Sequence, residues 1–157
     1  MTGCGANLKF SVREIRERGG LEVSLSVLPA DLFSEPPSGA MPGGPFAAGL
    51  EFSVGGDCIL LQACLAGSWT VACGRCLAEH RVAFEAEMDE TYALALETID
   101  IREDLRQTAL LELPQRSLCR PDCEGLCSQC GKNLNEGPCG CGSPRPAAFE
   151  ALKKLKE

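Results

Sequence analysis

The sequence predicts an α+β fold: an antiparallel β-rich domain with one internal helix, a cysteine-rich zinc-binding loop region and a short C-terminal helix. Three observations support this. Apolar and polar residues alternate in several early segments, a single helical stripe follows them, and eight of the eleven cysteines lie in two short groups. A chain of 157 residues can bury a core without relying on its cysteines.

Period-two alternation predicts the early strands. Residues 8–12 and 21–27 each alternate between apolar and polar side chains, and Gly19 and Gly20 between them predict a hairpin. Five prolines and four glycines between 29 and 49 predict a flexible loop.

Further strands are predicted between 50 and 88. Residues 50–54 and 58–65 are joined by a Gly-Gly-Asp turn, and Gly67 is expected to turn the chain again before 69–73. From 82 to 88, apolar side chains alternate with carboxylates, which predicts a half-buried strand with an acidic outer face. Cys58 and Cys64 lie in an apolar run and are expected to act as small hydrophobes.

One internal helix is predicted after residue 100. Asp100 and Glu103 have the spacing of a capping box, and Ile101, Leu105 and Ala109 form one apolar stripe.

Two regions follow from these elements. Residues 1–114 form the predicted β-rich domain, with the Pro/Gly loop at 29–49. Residues 115–157 form the cysteine-rich metal-binding region, with a helix from about 147 to 156, and are expected to pack on the same core.

The net charge of −7 is concentrated in one segment. The segment from Glu79 to Glu112 contains ten acidic residues and three arginines. The net charge of the rest of the chain is zero. Binding to a phosphate backbone depends largely on lysine and arginine, so this field favours a basic protein partner over bare nucleic acid. The alternative is that the carboxylates only form a solvated face.

The setting of the cysteines determines their expected chemistry. The first ten residues lack the features of a signal peptide, and no apolar run reaches the ~20 residues of a membrane span. The expected location is therefore cytoplasmic, where stable disulfides are rare and closely spaced cysteines more often bind metal.

Two cysteine groups have the spacing of metal ligands. Two thiolates separated by two residues can hold one tetrahedral ion, and Gly131 after the second such pair permits the positive φ that this turn favours. The predicted zinc ligands are Cys73, Cys76, Cys119, Cys123, Cys127, Cys130, Cys139 and Cys141. They form either two four-cysteine sites, the first four and the last four, or one site in the C-terminal group with other thiols left free.

Other chemistries have less support. An iron–sulfur cluster is the alternative cofactor. Cys123-x3-Cys127-x2-Cys130 has the spacing that holds such a cluster in radical enzymes. Those enzymes build a large barrel around the cluster, and too few residues follow these cysteines to form one. The Cys73/Cys76 pair lacks the βαβ surroundings of a redox motif. With a single histidine, no phosphate loop and no open position on a fully thiolate-bound zinc, the protein is not expected to be an enzyme.

Several motifs together resemble one family, the YceD family of bacteria and plastids. They are Val71-Ala72-Cys73-Gly74-Arg75-Cys76-Leu77, Leu113-Pro114, Cys123-Glu124-Gly125-Leu126-Cys127-Ser128-Gln129-Cys130-Gly131, Asn133-Leu134-Asn135 and Cys139-Gly140-Cys141.

The resemblance implies a non-enzymatic role in the accumulation of large-subunit (23S) ribosomal RNA and in ribosome assembly. It also implies a ribosomal protein or a large-subunit assembly particle as the partner, with no membrane and no small-molecule substrate. Arg75, inside the first cysteine pair, is the candidate partner contact. The alternatives are a zinc-binding module that contacts RNA directly through its C-terminal part, and a thiol-based redox sensor.

Overall fold

A computed structural model describes residues 6–141. Those residues are mostly antiparallel strands with three α-helices, which confirms the α+β class. The elements are β1 Lys9–Ser11, α1 Val12–Arg18, β2 Gly20–Val27, α2 Pro29–Leu32, β3 Ala40–Pro42, β4 Phe46–Gly55, β5 Cys58–Ala72, β6 Glu79–Ala93, β7 Thr98–Asp100 and α3 Arg102–Leu111. The helix predicted from about 147 to 156 lies outside the described residues.

The main sheet is built around β5. Its first part pairs with β4 and its last part with β3, both along one edge, while β6 pairs with the whole of its other edge. β2 extends the sheet beyond β4, and β1 and β7 form a separate two-stranded sheet. β5 and β6 therefore form the longest pair of strands. The turn between them contains Cys73 and Cys76.

One face of the main sheet is buried under the helices. Alternate residues of β4 and β5 point into this core, as the predicted period-two pattern requires. Trp69 lies at its aromatic centre, with ring centroids 5.5 Å from Phe46, 5.9 Å from Phe33 and 6.0 Å from Phe84. The apolar stripe predicted for the internal helix is confirmed, because Ile101, Leu105 and Ala109 are all fully buried.

The hairpin predicted between 8–12 and 21–27 is wrong, as is the expectation of a single internal helix. Val12 begins helix α1, which buries Val12 and Ile15, and Gly19 ends that helix with a φ of 71°. β1 pairs instead with β7, across more than eighty residues of chain. Helix α1 lies between the two predicted strands. Only Val12 and Ile15 of its seven residues are buried, which is too few to produce a helical pattern in the sequence.

The loop predicted at 29–49 is wrong in part. Pro29 occupies the first turn of α2, Ala40–Pro42 pair with β5, and β4 already begins at Phe46. The predicted turn at Gly67 is also wrong, since β5 runs straight through it. A Cβ atom at Gly67 would clash with the Phe46 ring, so this glycine makes room for aromatic packing.

The predicted capping box does not form. The carboxylate of Glu103 accepts from Arg106 and Gln107, and Asp100 accepts from the Arg102 N–H. Cys58 and Cys64 are only half-buried, and Cys64 donates to the Glu85 carboxylate, so the expected hydrophobic role is not what their positions show.

Candidate metal centres

The structure brings the eight predicted ligands together as two groups of four. The first centre contains Cys73, Cys76, Cys119 and Cys123, and the second contains Cys127, Cys130, Cys139 and Cys141. Within each centre the sulfur atoms all lie within 4.8 Å of one another, and all ten cysteines described are free of disulfides. Either group could hold a metal ion, so the geometry favours the two-site partition that the sequence left open.

The sulfur separations fit a tetrahedral ion. A zinc–sulfur bond of about 2.3 Å places two ligands of a tetrahedron roughly 3.8 Å apart. In the first centre, the Cys73 and Cys123 sulfurs are 3.8 Å apart and those of Cys76 and Cys119 are 3.6 Å apart. In the second centre, the sulfurs of Cys139 and Cys127 lie closer together, 3.3 Å apart. With four sulfur donors, a centre would have no open position for a substrate.

The first cysteine pair forms the turn that joins β5 to β6, here named the first knuckle (residues 73–78). The Cys73 N–H donates to the carbonyl of Ala78 at 2.9 Å, and the Leu77 N–H donates to the carbonyl of Cys73 at 3.0 Å. The Arg75 N–H points at the Cys73 sulfur, 3.4 Å away. Two paired strands therefore hold this pair of ligands rigidly.

The second pair repeats this pattern in the second knuckle (residues 127–132). The Cys127 N–H donates to the carbonyl of Lys132 at 2.8 Å, and the Gly131 N–H donates to the carbonyl of Cys127 at 2.9 Å. The Gln129 N–H lies 3.4 Å from the Cys127 sulfur. Gly131 has a φ of 71°, which confirms the positive φ predicted for it.

Leu77 occupies the position in the first knuckle that Gly131 occupies in the second. Its φ is 61°, and 65% of the residue is exposed. Left-handed backbone costs a residue with a Cβ atom about 1–2 kcal/mol.

Leu77→Gly is therefore expected to raise the free energy of unfolding by about 1 kcal/mol, after the greater unfolded-state entropy of glycine is counted. Denaturant unfolding of the metal-loaded protein measures this change in the free energy of unfolding. Leu77→Ala is the matched control, since it removes the apolar side chain and keeps the strain. A Leu77→Gly protein no more stable than Leu77→Ala contradicts this account.

The first centre ties the hairpin end to the segment that follows α3. The Gly74 N–H donates to the carbonyl of Ser117 at 2.8 Å, and the Leu126 N–H donates to that of Arg75 at 3.2 Å. Gly125 lies so close that a Cβ atom there would be 3.2 Å from the Arg75 carbonyl oxygen. His80 adds a hydrogen bond to the Ser117 hydroxyl.

Arg75, the predicted partner contact, also makes a local bond. Its guanidinium Nη1 donates to the carbonyl of Cys123 at 2.8 Å, which braces the first centre, although the residue as a whole is exposed. A partner role for Arg75 stays a prediction.

The pKa values of the thiols show why each centre suits a cation. In each knuckle, the backbone N–H of the second cysteine is the main cause that lowers the pKa of the first, to about 5 for Cys73 and about 6 for Cys127. Hydrogen bonds with the thiols of the second cysteines raise the pKa of Cys119 and of Cys141 to about 12. Four adjacent thiolates repel one another, so full ionisation needs a compensating cation.

The outer face of the main sheet carries much of the acidic charge. We define the acidic face as Glu22, Glu51, Glu85, Glu87 and Asp89, which are all exposed. Strand pairing sets Glu22 directly opposite Glu51, and Glu87 opposite Cys64. Among the described residues, no salt bridge neutralises these five carboxylates.

Small residues make the middle of this face shallow. Gly49 pairs with Ser24 on one side and with Cys64 on the other. A cavity of about 250 Å³ lies over these three residues and is also lined by Glu22 and Glu51. Like charges opposite each other on a sheet are destabilising, so this face is unfavourable for the isolated chain.

Fold and sites together define a class: an antiparallel β-sheet protein whose central hairpin and C-terminal segment carry two four-cysteine candidate metal centres. Within residues 6–141, no helix has the length and apolar character needed to cross a membrane.

Residues 89–156 match the family described as large ribosomal RNA subunit accumulation protein YceD. This segment is similar to the family that the sequence motifs resemble, and it covers fewer than half of the residues of the chain. The segment covers Cys119 to Cys141 but not the first knuckle.

Relatives match over similar segments. An uncharacterized protein of Mycobacterium tuberculosis is 46% identical over 52 residues, which are 33% of this chain and 25% of the relative. The large ribosomal RNA subunit accumulation protein YCED homolog 1, chloroplastic, of Zea mays is 39% identical over 59 residues, 37% of this chain and 19% of the relative. The chain thus matches a quarter or less of the length of these relatives, and no solved structure matches it.

Proposed function

We propose that this protein is a non-enzymatic, cytoplasmic factor that supports the accumulation of large-subunit (23S) ribosomal RNA and ribosome assembly. The observation that carries the proposal is the family match over residues 89–156, together with the name of the maize relative. The partner is a basic ribosomal protein or a large-subunit assembly particle that carries one.

The acidic face supports a basic partner. Its five carboxylates have no lysine or arginine partner among the described residues, and a lysine- or arginine-rich segment would relieve their mutual repulsion. The small residues at its centre leave room for long basic side chains to lie flat. Such a surface would guide and orient association more than it would supply raw affinity.

Zinc is the metal we assign to both centres. The donors are all cysteine sulfurs in closed groups of four, and the sulfur separations of the first centre match tetrahedral coordination. In this role the ions are structural: they hold residues 117–141 against the end of the β5–β6 hairpin.

Direct RNA binding by the C-terminal segment has weaker support. Between residues 115 and 157, seven basic residues stand against five acidic ones, so the excess of positive charge in this part is small. Affinity for bare large-subunit RNA that falls steeply with salt would favour this alternative over a protein partner.

The test is complementation with a charge-reversed acidic face. In cells that lack the gene, the variant Glu85→Lys/Glu87→Lys/Asp89→Lys is expected to leave 23S RNA low and to reduce co-sedimentation with large-subunit particles several-fold, because it repels a basic partner. Glu14→Lys/Glu17→Lys/Glu35→Lys makes the same charge change on other exposed residues and is expected to restore 23S RNA.

Two results would count against the proposal. Full complementation by the acidic-face variant overturns the docking surface. Normal 23S RNA in cells without the gene overturns the ribosomal role itself.

A further inference from the structure

Asn135 lies in the loop of the second centre, but its side chain reaches the first. The loop is the eight-residue segment between Cys130 and Cys139. The Asn135 amide Nδ2 donates to the sulfur of Cys123 at 3.4 Å and to the Asn133 Oδ1 at 2.7 Å. The residues that close the second centre therefore contact a ligand of the first.

The orientation of this amide is set by its neighbours. Its Oδ1 accepts from the Arg120 guanidinium at 2.7 Å and from the Glu124 N–H at 2.9 Å. Rotating the amide by 180° would turn its NH₂ group toward both donors, so the N–H side must face Cys123. All four hydrogen-bonding positions of the Asn135 side chain are occupied.

The loop backbone holds Asn135 in place. Residues Leu134–Glu136 form a single 3₁₀ turn, and the side chain of Asn133 caps it by accepting from the Asn135 N–H at 3.1 Å. The Leu134 N–H donates to the carbonyl of Gly125 at 2.9 Å, between the ligands Cys123 and Cys127. In sequence this turn lies between two ligands of the second centre, and its backbone bonds to the segment that links Cys123 to Cys127.

We propose that Asn135 is a positioning residue for the first metal centre, which holds the Cys123 thiolate toward the ion and couples the two centres. An N–H donor to a ligand sulfur spreads its negative charge and fixes its direction, and such outer contacts commonly change metal affinity by about 10–100-fold. The inference rests on the zinc assignment. It adds that the second centre, by ordering the loop, slows loss of metal from the first.

The test is metal release from the intact, zinc-loaded protein. Asn135→Asp keeps the shape and the acceptor for Arg120 and Glu124, but replaces the donor to sulfur with a carboxylate oxygen. We expect one of the two ions to leave on the order of tenfold faster into an excess of a coloured chelator. Cys123→Ser, which lacks the first centre, identifies the release phase of the second.

Spectroscopy and a matched control separate this role from a structural one. In cobalt-substituted protein, Asn135→Asp is expected to shift the thiolate-to-cobalt charge-transfer bands, which a loosened loop alone would leave in place. Gln115→Glu makes the same amide-to-carboxylate change on an exposed side chain that has no hydrogen bond among the described residues, so release and spectrum are expected to match wild type. Cys139→Ser, which disables the second centre, is expected to speed release from the first.

The possible failures are distinct. Wild-type protein that holds no metal overturns the zinc assignment and this inference together. Two bound ions with unchanged release and spectrum in Asn135→Asp overturn the inference alone, as does a Cys139→Ser protein whose first centre releases metal at the wild-type rate.

Discussion

Replacing Cys123 with serine is expected to remove one of two metal ions and to lower the free energy of unfolding by more than about 4 kcal/mol. Cys123 is 2% exposed, and its sulfur faces that of Cys73 across the first centre. Serine offers no thiolate, and the three remaining sulfurs would hold an ion poorly. This centre joins the β5–β6 hairpin to the segment after α3. Loss of the ion is therefore expected to release that segment from the hairpin.

Elemental analysis and denaturant unfolding measure this effect. Cys64→Ser is the control, since Cys64 lies half-buried on the outer sheet face and belongs to neither centre. The control is expected to keep two ions and to change stability by no more than about 0.5 kcal/mol. A Cys123→Ser protein with two ions and wild-type stability would show that the first centre does not bind metal.

Trp69→Ala is expected to cost about 3–5 kcal/mol of stability. The side chain is fully buried among Phe33, Phe46 and Phe84, and alanine would leave a large cavity in the sheet that positions the first knuckle. The unfolding midpoint by circular dichroism measures the loss, and metal content checks whether the centres persist.

Trp69→Phe is the matched control for this cavity. The indole N–H of Trp69 is buried without a hydrogen-bond partner among the described residues, which itself costs about 1–3 kcal/mol. Phenylalanine removes that group while filling much of the space, so a far smaller loss is expected. Equal losses in Trp69→Ala and Trp69→Phe would contradict the packing argument.

The sequence predicted the grouping of the cysteines better than the strand order. Cysteine spacing is a local property, so the Cys-x2-Cys turns and the grouping of eight thiols could be read directly. Pairing of β1 with β7 brings Phe10 to Ile99, and no local pattern carries that information. The apolar stripe of α3 was predictable, because Ile101, Leu105 and Ala109 repeat at helical spacing.

Two features of the centres could not be predicted from the sequence. Leu77 adopts a positive φ that sequence rules expect of glycine, because the pairing of β5 with β6 and the knuckle hydrogen bonds impose it. Asn135 was part of a recognisable motif, but its contact with Cys123 depends on how the loop folds back. The turn predicted at Gly67 was wrong because a glycine inside a strand can also make room for a neighbouring side chain.

We infer that this chain folds around two structural zinc ions. Elemental analysis of protein purified without added metal, with a visible absorption spectrum, tests it most directly. The protein is expected to hold two zinc ions per chain and to be colourless. Protein that is folded without metal, or that is brown and holds iron, would contradict it.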